Sequence, residues 1–184
     1  MKLPKGRFIF LEAFLFSSRK KANFKLIQKG GMTMIVGEID LFKGIASEVM
    51  NEIANICSEE SHDKDTVLFE KDEEANSLYI LDEGTVNLVI KDGGSLIYSL
   101  TEPGEVFGWS TMVEAGRYTA SGVCATDAKV VKIERAKLNK IFHLHPDVGL
   151  KVVKRLACVF SKRLSNAYRD LLSARRGEPP PSYG

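Results

Sequence analysis

The chain has 184 residues, 44% of them hydrophobic and 27% charged, a balance that suits one globular domain with extensions and excludes a low-complexity or membrane-embedded polypeptide. The formal net charge of +2 conceals three blocks: residues 1–31 carry eight basic side chains against Glu12 alone, residues 32–150 carry a net −11, and residues 151–184 carry eight basic against two acidic side chains. An acidic body between two basic arms does not attract nucleic acid or phosphate through its overall field, so any anion it holds must be held by local N–H groups and hydroxyls.

Residues 1–34 read as a basic leader, either disordered or a mis-set start, since Met32 and Met34 directly precede the first well-patterned helix. The apolar run Phe8–Phe16 is interrupted by Glu12 and is far shorter than the about 20 apolar residues a membrane helix needs. The interior charge and the lack of a small-residue cleavage site also argue against a secretory signal. A peripheral membrane or partner arm is the remaining use for it.

From Gly37 the pattern tightens. Ser47 is placed to cap a helix with the apolar face Val49, Met50, Ile53, Ala54, Ile56 and Cys57, and Ser58–Asp63 is expected to close it. Strand-like runs follow at Thr66–Phe69, Leu78–Leu81, Thr85–Ile90, Ser95–Leu100, Val106–Phe107, Tyr118–Ala125 and Lys129–Ile133, separated by turn-forming clusters. Asp92-Gly93 between two alternating runs marks a hairpin. Many short, evenly spaced strands predict a mainly β fold, an antiparallel β-roll of the jelly-roll type, over residues 35–145.

Two helices are expected at the end. Arg135–Leu144 is short, and Pro146 opens a long one over residues 146–176, on the order of 40 Å in length, with the stripe Val153, Leu156, Phe160, Leu164, Ala167 and Leu171. Gly177 and three prolines end it, leaving 177–184 as a disordered tail. A helix this long has more apolar surface than a small roll covers, which predicts a homodimer through it. Its many lysines and arginines read as a solvated face.

The stretch Gly104–Met112 carries the functional signal. A strand end between two glycines breaks into a Trp-Ser-Thr turn, and the first amides of such a turn are unpaired and available to an anion. Gly108 tolerates φ > 0 and lets the backbone approach a neighbour closely.

The order of helix, strand-rich roll, anion turn, strand pair and long terminal helix resembles the cyclic nucleotide-binding domain superfamily of catabolite-activator and kinase-regulatory proteins. The resemblance rests on Thr66–Phe69, Ala75–Val86 and Gly104–Gly108 and extends over about residues 39–172. It implies a non-enzymatic, cytoplasmic, small-molecule-sensing domain for cyclic AMP, cyclic GMP or another anionic ligand. The implied site is Phe107, Gly108, Trp109, Ser110, Thr111, Met112, Arg117, Tyr118, Thr119 and Ala120. The family places a ribose-binding Glu where this chain has Trp109, and a phosphate-binding Arg where it has Tyr118, ahead of a matching Thr119-Ala120. Arg117 lies one residue early, and strand alternation would put it outside if Tyr118 is inside. The cassette is thus atypical. The alternatives are a different flat or anionic ligand stacked on the two rings, or a degenerate domain that acts in dimerisation or protein interaction.

Catalysis has little support. His143-x-His145 invites comparison with a cupin-like metalloenzyme, but the pair falls at a helix junction, with only His62 elsewhere. Cys57, Cys124 and Cys158 are widely spaced and fit neither a zinc site nor a disulfide framework; reduced cytoplasmic thiols are the expectation. The superfamily's DNA-binding members carry a helix-turn-helix after the long helix. About ten residues follow it here, so sequence-specific DNA binding by this chain is not expected.

Overall fold

The computed structural model describes residues 36, 39–113 and 116–176. The expected leader and tail lie outside the described residues. Helix α1 spans Ser47–Asn55 and buries Val49, Met50, Ile53 and Ala54. Ser47 is its first turn rather than its cap: Ala46 holds the cap position, with no side-chain hydrogen bond.

Eight strands follow, at Cys57–His62 (β1), Val67–Phe69 (β2), Ser77–Glu83 (β3), Val86–Lys91 (β4), Ser95–Leu100 (β5), Val106–Phe107 (β6), Ser121–Cys124 (β7) and Ala128–Glu134 (β8). Strand β1 corrects the expectation that Ser58–Asp63 merely closes a helix. Its sequence is polar because it lies at the edge of its sheet, where pairing with β8 from Cys57↔Ile133 to His62↔Ala128 supplies the order that its side chains do not. The expected strand Tyr118–Ala125 is also shorter than its pattern, since the Tyr118 backbone pairs with the turn residues Asp72 and Glu73 and not with a strand, and β7 begins only at Ser121. The Asp92-Gly93 hairpin is present: Gly93 is left-handed at φ 63°, and β4 and β5 pair without a break from Lys91↔Ser95 to Val86↔Leu100.

The strands form two antiparallel four-stranded sheets, ordered β1-β8-β3-β6 and β2-β7-β4-β5. Strands β3, β6 and β8 of the first sheet are covered on both faces, and strand alternation sorts their residues between two cores. Leu78 and Ile80 of β3, Val106 of β6, and Val131 and Ile133 of β8 meet the helices. Tyr79 and Leu81, Phe107, and Ala128 and Val130 point into the roll against the second sheet. Helix α2 (Arg135–Leu144) covers the helix-side core with Leu138 and Ile141, and α3 (Pro146–Arg176) does so with Val148, Val152 and Leu156.

The face of α3 that docks shares only Leu156 and Phe160 with the stripe the spacing suggests. Val148, Val152, Leu156 and half-buried Phe160 meet the body, whereas Val153, Leu164 and Leu171 are exposed, the last two at 52% and 62%. Beyond Arg163 the helix presents Leu164, Tyr168, Leu171 and Leu172 to solvent. No helix among the described residues is long and apolar enough to cross a membrane.

Candidate functional site

Strand β6 ends at Phe107, and Gly108 turns the chain with φ 72° into a 3-10 turn, Trp109–Met112, as the sequence predicts. The close approach that glycine permits is internal. A Cβ at Gly108 would meet the Ser77 carbonyl oxygen at 2.9 Å and the Tyr79 ring at 3.1 Å, so the glycine is required by the protein's own packing. The Thr111 amide donates to the Gly108 carbonyl and the Val113 amide to Ser110, each at 3.3 Å. Trp109 and Ser110 open the turn, where a helical ladder offers no acceptor. Ser110 and Thr111 are buried, and the Thr111 hydroxyl oxygen is enclosed without a hydrogen-bond partner among the described residues. Met112 is half-buried against the helix-side core.

Tyr118 occupies the interior of the roll. It is 4% exposed, its ring stacks on Phe69 at 4.0 Å between centroids, and its hydroxyl donates to the Ser77 carbonyl at 2.8 Å while accepting from the Ser77 amide at 3.1 Å. Burial pushes its pKa up to about 12, so the phenol stays neutral. Phe69 also stacks on Tyr79 at 5.5 Å, and Tyr79 on Phe107 at 5.3 Å, giving a continuous aromatic interior. Arg117 lies on the other side, as alternation requires: it is exposed, and its Nη1 donates to the Asp72 carbonyl at 2.5 Å. Thr119 is exposed and Ala120 half-buried.

Trp109 turns away from the interior toward α3. Its ring meets Phe160 edge-on at 4.9 Å, and the Arg163 guanidinium lies 4.2 Å from its centroid. The same guanidinium is 5.1 Å from the Tyr98 ring of β5 and donates Nη2 to the Val106 carbonyl at 3.0 Å. Burial lowers the Arg163 pKa, yet the group remains charged. The ten residues singled out in the sequence therefore divide. Phe107 and Tyr118 build the inner core, Trp109 and Met112 face the helices, and Arg117 and Thr119 face solvent.

Sequence reasoning did not find Ser77, Phe69 or Arg163. Ser77 acts through its backbone, which leaves no mark on residue type. Arg163 does carry a signal, because it continues the docking row Val152, Leu156, Phe160 at helical spacing, but its charge equally fits the solvated face of the helix.

The histidines stand apart. Nδ1 of His143 lies 2.7 Å from the Asn139 carbonyl, His145 lies 3.3 Å from Glu52, and His62 lies 3.1 Å from Glu60. Among the described residues no cluster of three or more His, Cys, Asp or Glu side chains is placed to hold a metal.

An antiparallel roll with a glycine-entered turn after β6 and a long terminal helix is the architecture of regulatory domains of the cyclic nucleotide-binding type. Residues 59–145 match the cyclic nucleotide-binding domain family. A protein of Geobacter metallireducens described as a cyclic nucleotide-binding protein superposes with a TM-score of 0.64 at 25% identity, covering 76% of this chain and 99% of that one. The cAMP-activated global transcriptional regulator of Pasteurella multocida is 25% identical over 118 residues, 62% of this chain and 54% of the regulator. Glutaminase 2 of Bradyrhizobium diazoefficiens is 32% identical over 102 residues, 54% of this chain but 16% of the glutaminase. The chain thus spans about half of one curated relative and a small part of the other.

Proposed function

We propose that the chain is a non-enzymatic regulatory domain of the cyclic nucleotide-binding type whose output does not depend on cyclic AMP or cyclic GMP held by the family's charge pair. The observation that carries this is Tyr118. Its ring fills the roll interior where the resemblance puts the phosphate's arginine, and its only proton is committed to the Ser77 carbonyl. A neutral, occupied phenol offers a cyclic phosphate no charge-assisted contact. At the carboxylate position, Trp109 supplies no acceptor for a ribose hydroxyl and is engaged with α3.

The output in this reading is the helix itself. The roll holds the first half of α3, and the exposed row Leu164, Tyr168 and Leu171 pairs with the same row of a second copy. The reduced thiols fit the cytoplasm, which is the location we propose.

Isothermal titration of the full chain with cyclic AMP and cyclic GMP, beside light scattering, tests the proposal. Silence from both nucleotides with a dimeric mass is the expected result. Saturable one-to-one binding of either nucleotide overturns it. A second reading, a different anionic ligand at the turn, is favoured by the enclosed, unpartnered Thr111 hydroxyl. Quenching of Trp109 by a non-cyclic phosphate compound, lost in Thr111→Val, would establish that reading instead.

A further inference from the structure

Four contacts converge where α3 leaves the body. The Arg163 guanidinium lies over the Trp109 ring at 4.2 Å and over the Tyr98 ring at 5.1 Å from their centroids. Its Nη2 donates to Val106 at 3.0 Å, and Phe160, one turn earlier on the helix, meets Trp109 edge-on. These contacts tie the β4–β5 hairpin, the turn after β6 and α3 together at one point. Before it, α3 is docked through Val148, Val152 and Leu156; after it, the large apolar side chains of the helix are exposed.

We infer that Arg163 is an internal latch: its planar guanidinium occupies a flat slot between Tyr98 and Trp109, closes that slot to any other planar group, and holds the distal part of α3 in line with the docked part. The reading goes beyond the proposed function, since the latch lies outside the roll interior and holds whether or not a ligand enters there. Flat stacking between an indole and a phenol is how a protein holds a guanidinium or a heteroaromatic ring, so arginine and a planar ligand compete for one geometry.

The latch is closed but not over-stabilised. Arg163 forms no ion pair among the described residues, and its Nη1 is enclosed there without an acceptor. Glu105 acts on the Arg163 charge only through space: the hydrogen bonds its Oε2 accepts come from the Thr101 and Glu102 amides, at 2.9 and 3.1 Å. A buried charge lacking one of its hydrogen bonds regains it in water, which favours release and offsets part of the stacking. The two states are thereby brought close enough for binding in the slot to shift them.

Hydrogen exchange of the full-length chain reads the latch. Arg163→Ala is expected to speed exchange of amides 161–173 about tenfold or more while β3 and β8 keep their protection. Acrylamide quenching of Trp109 rises with it. Arg155→Ala is the control: Arg155 donates to Leu41 at 3.2 Å within the docked half, and its loss leaves 161–173 unchanged. If Arg163→Ala unfolds the roll as well, Tyr98→Ser removes one wall of the slot from an edge strand and is expected to speed the same amides. Unchanged exchange at 161–173 in a folded Arg163→Ala or Tyr98→Ser protein overturns the latch, as does an equal effect from Arg155→Ala.

Discussion

A phenol held between the amide and the carbonyl of one residue works as a backbone clasp, and Tyr118 is placed this way on Ser77. Tyr118→Phe keeps the stack on Phe69 but leaves two buried backbone groups unpaired, so it is expected to cost about 2 kcal/mol in urea unfolding, with the native circular dichroism unchanged. The clasp also sets an alkaline limit. Burial raises the pKa of Tyr118 from the ordinary value near 10 to about 12. The stabilisation is complete below about pH 10, the unfolded value, and is lost as pH rises toward about 12, because the unfolded phenol ionises first. Wild-type stability measured from pH 8 to 11.5 is expected to fall, and Tyr118→Phe to fall less steeply. Gly108 belongs to the same corner. Gly108→Ala places a Cβ against the Ser77 carbonyl at a positive φ, and a loss of about 2 kcal/mol or more in chemical denaturation is the expected result.

Among the elements, strand edges and the distal helix carry the surface behaviour. Three sheet edges are protected: β1 by Glu59, Glu60 and the Glu60–Lys132 pair, β2 by its three-residue length and irregular register, and β6 by having two residues. β5 is different, with six regularly paired residues, no charge among them, and Leu96 and Ile97 exposed at 65% and 56%. Such an edge invites strand addition. Ile97→Lys is expected to reduce concentration-dependent association, read by light scattering, at nearly unchanged thermal stability. If α3 forms the dimer seam, Leu164→Glu with Leu171→Glu yields a folded monomer; a dimer that survives both substitutions places the seam elsewhere.

For the whole molecule, the first sheet is shared by two cores, and this couples them. Leu78 faces the helices and Leu81 the roll interior, three residues apart on one strand. Either leucine changed to Ala is expected to cost about 3 kcal/mol, and each is expected to shift one transition in which Trp109 fluorescence and far-ultraviolet circular dichroism coincide. Separate transitions would show that the two cores fold independently.

Much of this architecture could be read from residue types. Turn chemistry at Asp92-Gly93, alternation in Leu78–Leu81, and the helix-opening Pro146 are local signals, and the structure places those elements where such signals put them. β1 escaped because edge strands are stabilised by pairing partners rather than by their own composition. The roles of the site residues were less legible. That Tyr118 points inward and Arg117 outward follows from alternation once one of them is placed, but which one goes inside is decided by Phe69 and Ser77, which lie 49 and 41 positions earlier.

The sequence alone therefore determined the order and kind of the elements other than β1, and the left-handed glycine before the turn. Those features arise from interactions within a few residues of one another. Only the tertiary structure decided that one ring closes the roll interior while the other clamps a helix cation. Both outcomes depend on which distant backbone groups and side chains meet in three dimensions, and residue spacing along the chain does not encode that.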